Sequence, residues 1–207
     1  ASNNGIISFG GLSGDAIPVF SLTVDPNIPD TIWCGTQGIK GIFKSIDGGQ
    51  TWVKKDNGVV ENEGITFRGI AIDPRNSKLV YAAGEVSSFV WAGQNRPGRG
   101  FDLVKGVVYR TTDGGESWTA IWRGDNLARY VWIDPRNSEI LYVSTGLFDR
   151  EAANSDWATS NPGGVGIVKS TDGGRTWQAL GRQNGLQNLY IGSLFMHPQN
   201  PDILLAG

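Results

Sequence analysis

Three observations predict an all-β chain: two short motifs that alternate along it, the absence of any sustained 3.6-residue apolar period, and a composition heavy in turn formers and tryptophan. Of 207 residues, 30 are glycine and 8 are tryptophan, while only 18% are charged. That glycine share is about twice the usual ~7%. The architecture these features predict is a β-propeller of four-stranded antiparallel blades, a fold in which sheets stack radially and leave only short edges. About three and a half blades are present, so the chain is expected to be part of a larger ring, with seven blades as the expected total.

The first motif occurs three times without gaps: Ser45-Ile-Asp47-Gly-Gly-Gln-Thr-Trp52, Thr111-Thr-Asp113-Gly-Gly-Glu-Ser-Trp118 and Ser170-Thr-Asp172-Gly-Gly-Arg-Thr-Trp177, each after a short β-prone run. The second occurs four times as an apolar run ending in Asp25-Pro26, Asp73-Pro74, Asp134-Pro135 or His197-Pro198, followed by a second apolar run. Both motifs read as strand, tight turn, strand, because four to six apolar or β-branched residues are bounded by Asp, Pro, Asn and Gly. One copy of each makes a four-stranded unit. The units are expected at about 19–56, 67–122 and 129–181, with two strands of a fourth at about 190–207.

Each element of the repeat has a local reason. Asp47, Asp113 and Asp172 are expected to accept hydrogen bonds from backbone N–H groups two residues on, while the glycines supply positive φ. Trp52, Trp118 and Trp177, one per unit at a fixed offset, are expected to wedge between neighbouring sheets. All six are assigned structural roles.

Several chemistries are excluded early. With 18 Lys+Arg against 20 Asp+Glu, no global field draws the chain to nucleic acid. One cysteine, Cys34, and one histidine, His197, remove disulfides, multi-cysteine metal clusters and His-rich metal sites. Cys34 reads as a small buried hydrophobe and His197 as a structural substitute for the turn aspartates. The cluster Gly163-Gly164-Val165-Gly166 precedes a strand and so is no nucleotide loop. No metal and no cofactor are expected. No run approaches the ~18 apolar residues of a membrane helix, and no signal-peptide pattern is visible at the start, so the chain is expected to be soluble. Low lysine content with Trp and Asn richness points to secretion or the periplasm.

Two insertions interrupt the regular spacing. Asp25 to Asp47 spans 22 residues, but Asp73 to Asp113 spans 40 and Asp134 to Asp172 spans 38. The extra residues, Glu85 to Lys105 and Leu147 to Val165, fall between the second and third strands and so leave from the same face, opposite the Asp-Gly-Gly turns. Loops on a rigid scaffold carry function. The first holds Trp91, Arg96, Phe101 and Asp102; the second holds Asp149, Arg150, Glu151, Asp156 and Trp157. Aromatic platforms beside carboxylates suit a carbohydrate: Trp91, Trp157, Phe101, Arg96 and Arg150 are the candidate ligand contacts. Asp149, Glu151 and Asp156, then Asp102, are the candidate catalytic carboxylates of a two-carboxylate mechanism. The competing reading makes Trp91 and Trp157 the anchors that keep long loops ordered.

The octet and its two copies resemble the Asp-box, or BNR, repeat of sialidases, sortilin-type Vps10 domains and xyloglucan-active propeller glycosidases. The resemblance implies the propeller fold across about Val19 to Gly207. The sialidase Arg-Ile-Pro signature is absent, Arg96-Pro97 being the nearest sequence, and the disulfide-rich module of sortilins has no counterpart. Xyloglucan-active relatives use an aspartate from each of two propellers, which no residue here can be matched to. Two functions follow: an extracytoplasmic binding or scaffolding module whose ligand, glycan or protein, sits on the insertion face, or a polysaccharide-active glycoside hydrolase. The unfinished fourth unit is expected to lead to self-association or to completion by the missing part of the ring.

Overall fold

The computed structural model describes residues 4–6, 19–36, 41–60, 65–86, 105–124, 127–146 and 164–207. These form three antiparallel four-stranded sheets and one two-stranded sheet. The first is β1 (Val19–Val24), β2 (Ile32–Thr36), β3 (Ile42–Ser45) and β4 (Val53–Lys54); the second is β5 (Ile65–Asp73), β6 (Asn76–Val86), β7 (Lys105–Thr111) and β8 (Thr119–Gly124). The third is β9 (Leu127–Asp134), β10 (Asn137–Gly146), β11 (Ile167–Ser170) and β12 (Gln178–Leu180), followed by the pair β13 (Leu194–Met196) and β14 (Leu204–Ala206). Strands in each sheet lie in sequence order. Among the described residues the helical content is one 3-10 turn, Arg182–Asn184.

The first strand of the second blade, β5, packs against the first strands β1 and β9 on either side, which sets these strands along the inner side of the sheets. A Cβ on Gly69 of β5 would strike the Arg129 carbonyl of β9, so glycine permits that approach. Because alternate residues face opposite sides of a strand, β6 and β7 of the second blade bury both faces. Val80, Ala82 and Tyr109 pack with Trp33 and Ile42 of the first blade. Tyr81, Ala83 and Val108 pack with Val131, Leu141 and Val168 of the third. This two-sided burial explains strands that read as continuous apolar runs.

The three Asp-Gly-Gly turns share one hydrogen-bond pattern. Asp47 Oδ1 accepts from the Thr51 N–H at 2.9 Å and Asp47 Oδ2 from the Thr51 hydroxyl at 2.5 Å. The Ser45 hydroxyl donates to Asp47 Oδ1 at 2.7 Å and accepts from the Gly49 N–H at 2.8 Å. Asp113 with Ser117 and Thr111, and Asp172 with Thr176 and Ser170, repeat this set. The expected bond two residues on is corrected to four residues on. The two glycines take positive φ, 68° and 85° at Gly48 and Gly49, which curls the chain until residue i+4 points back at the carboxylate. The Asp-Pro turns stay local: Asp73 and Asp134 accept from N–H groups two residues on, as does Asp25. His197 takes the same role through Nδ1, which accepts from Gln199 and Asn200.

Bonds between blades repeat with the same regularity. Trp118 lies edge-on to Trp33, centroids 5.7 Å apart, and donates its indole N–H to the Lys55 carbonyl of the preceding blade. Trp177 donates likewise to Ile121. Trp52 packs with Cys34, Phe43 and Ile6. The link between the first two blades also pins the second: the Trp118 N–H donates to the Asn57 carbonyl, and Gly58, at φ 91°, presses so close that a Cβ would strike the Trp118 carbonyl. Asn4 and Gly5 do the same to Trp52.

Candidate functional site

Both insertions leave from the same end of the blades. The first starts after β6 ends at Val86 and rejoins at Lys105; the second starts after Gly146 and rejoins before Ile167. The Asp-Gly-Gly turns lie at the other end, tied to the Asp-Pro hairpins of their own blades: the N–H groups of Gly48, Gly114 and Gly173 donate to the carbonyls of Asp30, Lys78 and Glu139. The sequence candidates Trp91, Arg96, Phe101, Asp102, Asp149, Arg150, Glu151, Asp156 and Trp157 all lie outside the described residues.

What the structure describes is the floor beneath them. Each of the first three inner strands departs from regular pairing near its insertion end, between Val19 and Ser21, between Phe67 and Gly69, and opposite Val143–Thr145; β5 and β9 have a second shift beside their turn aspartates. The residues five before the turn aspartates 25, 73 and 134 are Phe20, Arg68 and Arg129, so one slot is bulged in every complete blade. A bulge bends the strand and re-aims its side chain. Here it directs two arginines at Glu85, the penultimate residue of β6. Arg68 Nη2 is 2.5 Å from Glu85 Oε1, and Arg129 Nε is 3.9 Å from Glu85 Oε2. Arg68 also lies over the Phe20 ring at 4.4 Å, and Arg129 Nη1 donates to the Gly192 carbonyl at 3.2 Å. These contacts thus link the bulge slots of three successive units and reach Gly192 at the start of the fourth.

Glu85 and Arg129 are buried, 6% and 4% exposed, and Arg68 is partly buried. Burial first, then repulsion from Arg68, lowers the Arg129 guanidinium to about 10, so it stays charged at neutral pH. Glu85 Oε2 accepts no hydrogen bond among the described residues. The base of the second insertion is also held firmly. Thr145 Oγ1 donates to the Gly166 carbonyl at 2.8 Å and accepts from the Val165 N–H at 3.1 Å, and the Ile191 N–H donates to the Thr145 carbonyl.

Elsewhere the chemistry is sparse. A groove of about 410 Å³ runs along the inner strands, lined by Thr23, Ile70, Tyr130, Trp132, Met196 and His197 among others. It is apolar and carries no carboxylate. The box aspartates are saturated: hydrogen bonds, from the Thr51 hydroxyl foremost, hold Asp47 down to about 2, and those from Ser117 and Thr176 hold Asp113 and Asp172 well below the carboxylate range. An acid held that low cannot serve as a proton donor near neutrality. Burial pushes the Cys34 thiol up to about 11 and leaves it inert. No group of three His, Cys, Asp or Glu suited to a metal occurs among the described residues.

Sequence reasoning missed Arg68, Glu85 and Arg129. The available signal was an arginine in an otherwise apolar inner strand at the same offset in two units. Pairing it with Glu85 needed the fold, because the three lie in different strands and two different blades.

Radiating four-stranded sheets joined through this turn define an Asp-box β-propeller. The BNR/Asp-box repeat profile matches residues 109–120 and 168–179, the second and third copies; the first has the same bonds. Over 193 residues the chain is 25% identical to xyloglucanase Xgh74A of Acetivibrio thermocellus, covering 81% of this chain and 20% of that protein. The crystal structure of the GH74 xyloglucanase from Xanthomonas campestris superposes with a TM-score of 0.61 at 16% identity, over 93% of this chain and 27% of that one. YCF48 from Cyanidioschyzon merolae superposes with a TM-score of 0.52 at 16% identity, over 92% and 50%. The chain therefore carries Asp-box repeats on a propeller fold and is similar in sequence to xyloglucanases, and it spans about a fifth of the length of the Acetivibrio relative. No helix among the described residues is long and apolar enough to cross a membrane.

Proposed function

We propose that this chain forms part of a secreted or periplasmic propeller that binds a plant-type glycan at its insertion end, with Trp91, Trp157 and Phe101 as stacking platforms and Arg96 and Arg150 as polar contacts. The observation that carries the reading is the Arg68–Glu85–Arg129 cluster, buried where the first insertion leaves its sheet. Two of the bulged inner strands place an arginine at the end of the scaffold from which both long loops leave. The relationship to xyloglucanases supplies the ligand class. Glycan recognition needs flat aromatic surface and directed hydrogen bonds, which these residue types provide.

A glycan array probed with the intact chain tests this. Binding to xyloglucan-derived oligosaccharides, lost in both Trp91→Ala and Trp157→Ala, is the expected result. Unchanged binding in both variants would remove the loops from the site.

The second reading is hydrolysis, favoured because relatives matched along the sequence are xyloglucanases. Asp149, Glu151 and Asp156, then Asp102, are the carboxylates to replace. A glycosidase needs two carboxyl groups, about 5–5.5 Å apart for retention or 6.5–9.5 Å for inversion. Release of reducing ends from xyloglucan that falls at least a hundredfold in one Asp→Asn or Glu→Gln variant would establish catalysis by that residue; release indifferent to all four would remove them from the mechanism, and no release by the intact chain would leave a binding module.

A further inference from the structure

The link from β12 to β13, residues 181–193, divides into two halves of different character. Asn184-Gly185-Leu186 repeats Asn57-Gly58-Val59 of the link after the first blade, with φ 93° at Gly185 against 91° at Gly58. That half belongs to the repeat. The passage from the second blade to the third takes only the two residues between Gly124 and Leu127, so moving from one blade to the next does not require the remainder, Gln187 to Gly192.

That remainder threads between the two stems of the second insertion. The Gly166 N–H donates to the Leu189 carbonyl at 3.2 Å, and the Ile191 N–H donates to the Thr145 carbonyl at 3.0 Å. A Cβ on Gly164 would strike the Leu189 carbonyl and one on Gly146 would crowd Tyr190 Cα, so glycine at both stems admits the segment. Within the link, the Arg182 guanidinium donates to the Gln187 carbonyl at 2.7 Å, and Asn188 Oδ1 accepts from the Tyr190 N–H at 3.0 Å. Leu186 packs with Ile167, Ile191 and Leu194. Arg129 of the buried cluster holds the far end through the Gly192 carbonyl. A loop fastened along its whole length holds its side chains in set positions at the insertion end.

The groups it presents are chemically uniform. Gln187 and Asn188 are exposed and Tyr190 is partly exposed. Among the described residues, neither the Gln187 side-chain amide nor Asn188 Nδ2 makes a hydrogen bond, and the cation of the link, Arg182, already donates to the Gln187 carbonyl. Neutral donors and acceptors beside an aromatic ring suit the hydroxyls and faces of a sugar and give an anion no counter-charge. We propose that Gln187, Asn188 and Tyr190 form a third wall of the glycan site, with the two amides bonding adjacent hydroxyls and Tyr190 stacking on a sugar ring. The assignment rests on the glycan reading above and adds to it residues outside both insertions.

Titration of xyloglucan oligosaccharides into the 207-residue chain is the test. Gln187→Ala should lower affinity roughly fivefold, the size of one hydrogen bond. Tyr190→Ala should lower it roughly tenfold, and Tyr190→Phe should leave it close to unchanged because the ring is kept. In the unsubstituted chain the side-chain amide resonances of Gln187 and Asn188 should shift saturably with oligosaccharide, a response that a purely structural loop would not give. Circular dichroism checks the folding of each variant. Gln187→Ala removes no side-chain bond among the described residues, so it carries the test even where Tyr190→Ala loosens the loop. Binding that is lost in Trp91→Ala yet unchanged in Gln187→Ala and Tyr190→Ala, with both amides unshifted, would overturn the third wall and leave the glycan site on the insertions. No binding of the oligosaccharides by the intact chain would overturn both.

Discussion

The second blade and the final two-stranded sheet are built from the same repeat and differ in their neighbours. In the second blade, β6 and β7 bury both faces, one against the first blade and one against the third. In the last sheet, Leu194 and Met196 are buried but Phe195 and Leu205 are exposed. A repeat unit of this kind contributes its own hydrogen-bonded turns, whereas the apolar contribution arises between units, at roughly 25 cal/mol per Å² removed from water. Stability is then a property of interfaces more than of blades.

Four measurements would break or sharpen that contrast. The largest effect is expected at the slot eight residues after the turn aspartate or histidine, which holds Trp33 in the first unit and Leu205 in the last: Trp33→Ala should destabilise by about 3–5 kcal/mol in chemical denaturation, and Leu205→Ala by no more than about 0.5. Equal costs would mean that the open edge is as well packed as the blade interfaces. Next, Glu85→Gln removes the buried carboxylate that Arg68 and Arg129 both face and should cost about 3 kcal/mol; a neutral effect would show the cluster to be solvated. Removing one box hydroxyl, Thr111→Val, abolishes the acceptor for the Gly115 N–H and the donor to Asp113, and should cost about 1–2 kcal/mol, read as a lower denaturation midpoint.

The smallest and most diffuse effect concerns pH. The box aspartates are depressed in the folded state, Asp47 to about 2, from an ordinary value of about 3.9. Their contribution is therefore complete above about pH 4 and declines as pH falls toward 2. The melting temperature of the intact chain should drop over that interval. Asp→Asn at the three boxes should flatten the acid limb, and an unchanged acid limb would place its origin elsewhere.

Much of this organisation was legible in the residues. The boxes, the Asp-Pro hairpins and the order of strands were readable because each rests on contacts within about five residues, where composition and spacing are informative. The reach of Asp47 to Thr51 was misjudged for a related reason: two successive positive-φ glycines lengthen the turn in a way that a two-residue rule does not capture. Arg68, Glu85 and Arg129 were not legible. Glu85 sits in a strand that otherwise reads as apolar, and its partners come from its own blade and the next, brought together by bulges that leave no strong mark in sequence.

The Asn57–Gly58 link bears on how such a chain divides into modules. It follows the first blade in sequence, yet its bonds fasten the tryptophan of the second. A protein engineer who cut the repeat at the end of strand four would separate a latch from the door it holds. Grafts, permutations and blade exchanges should carry each linker with the blade that follows it, and a protease cleaving at Gly58 would loosen the blade downstream of the nick.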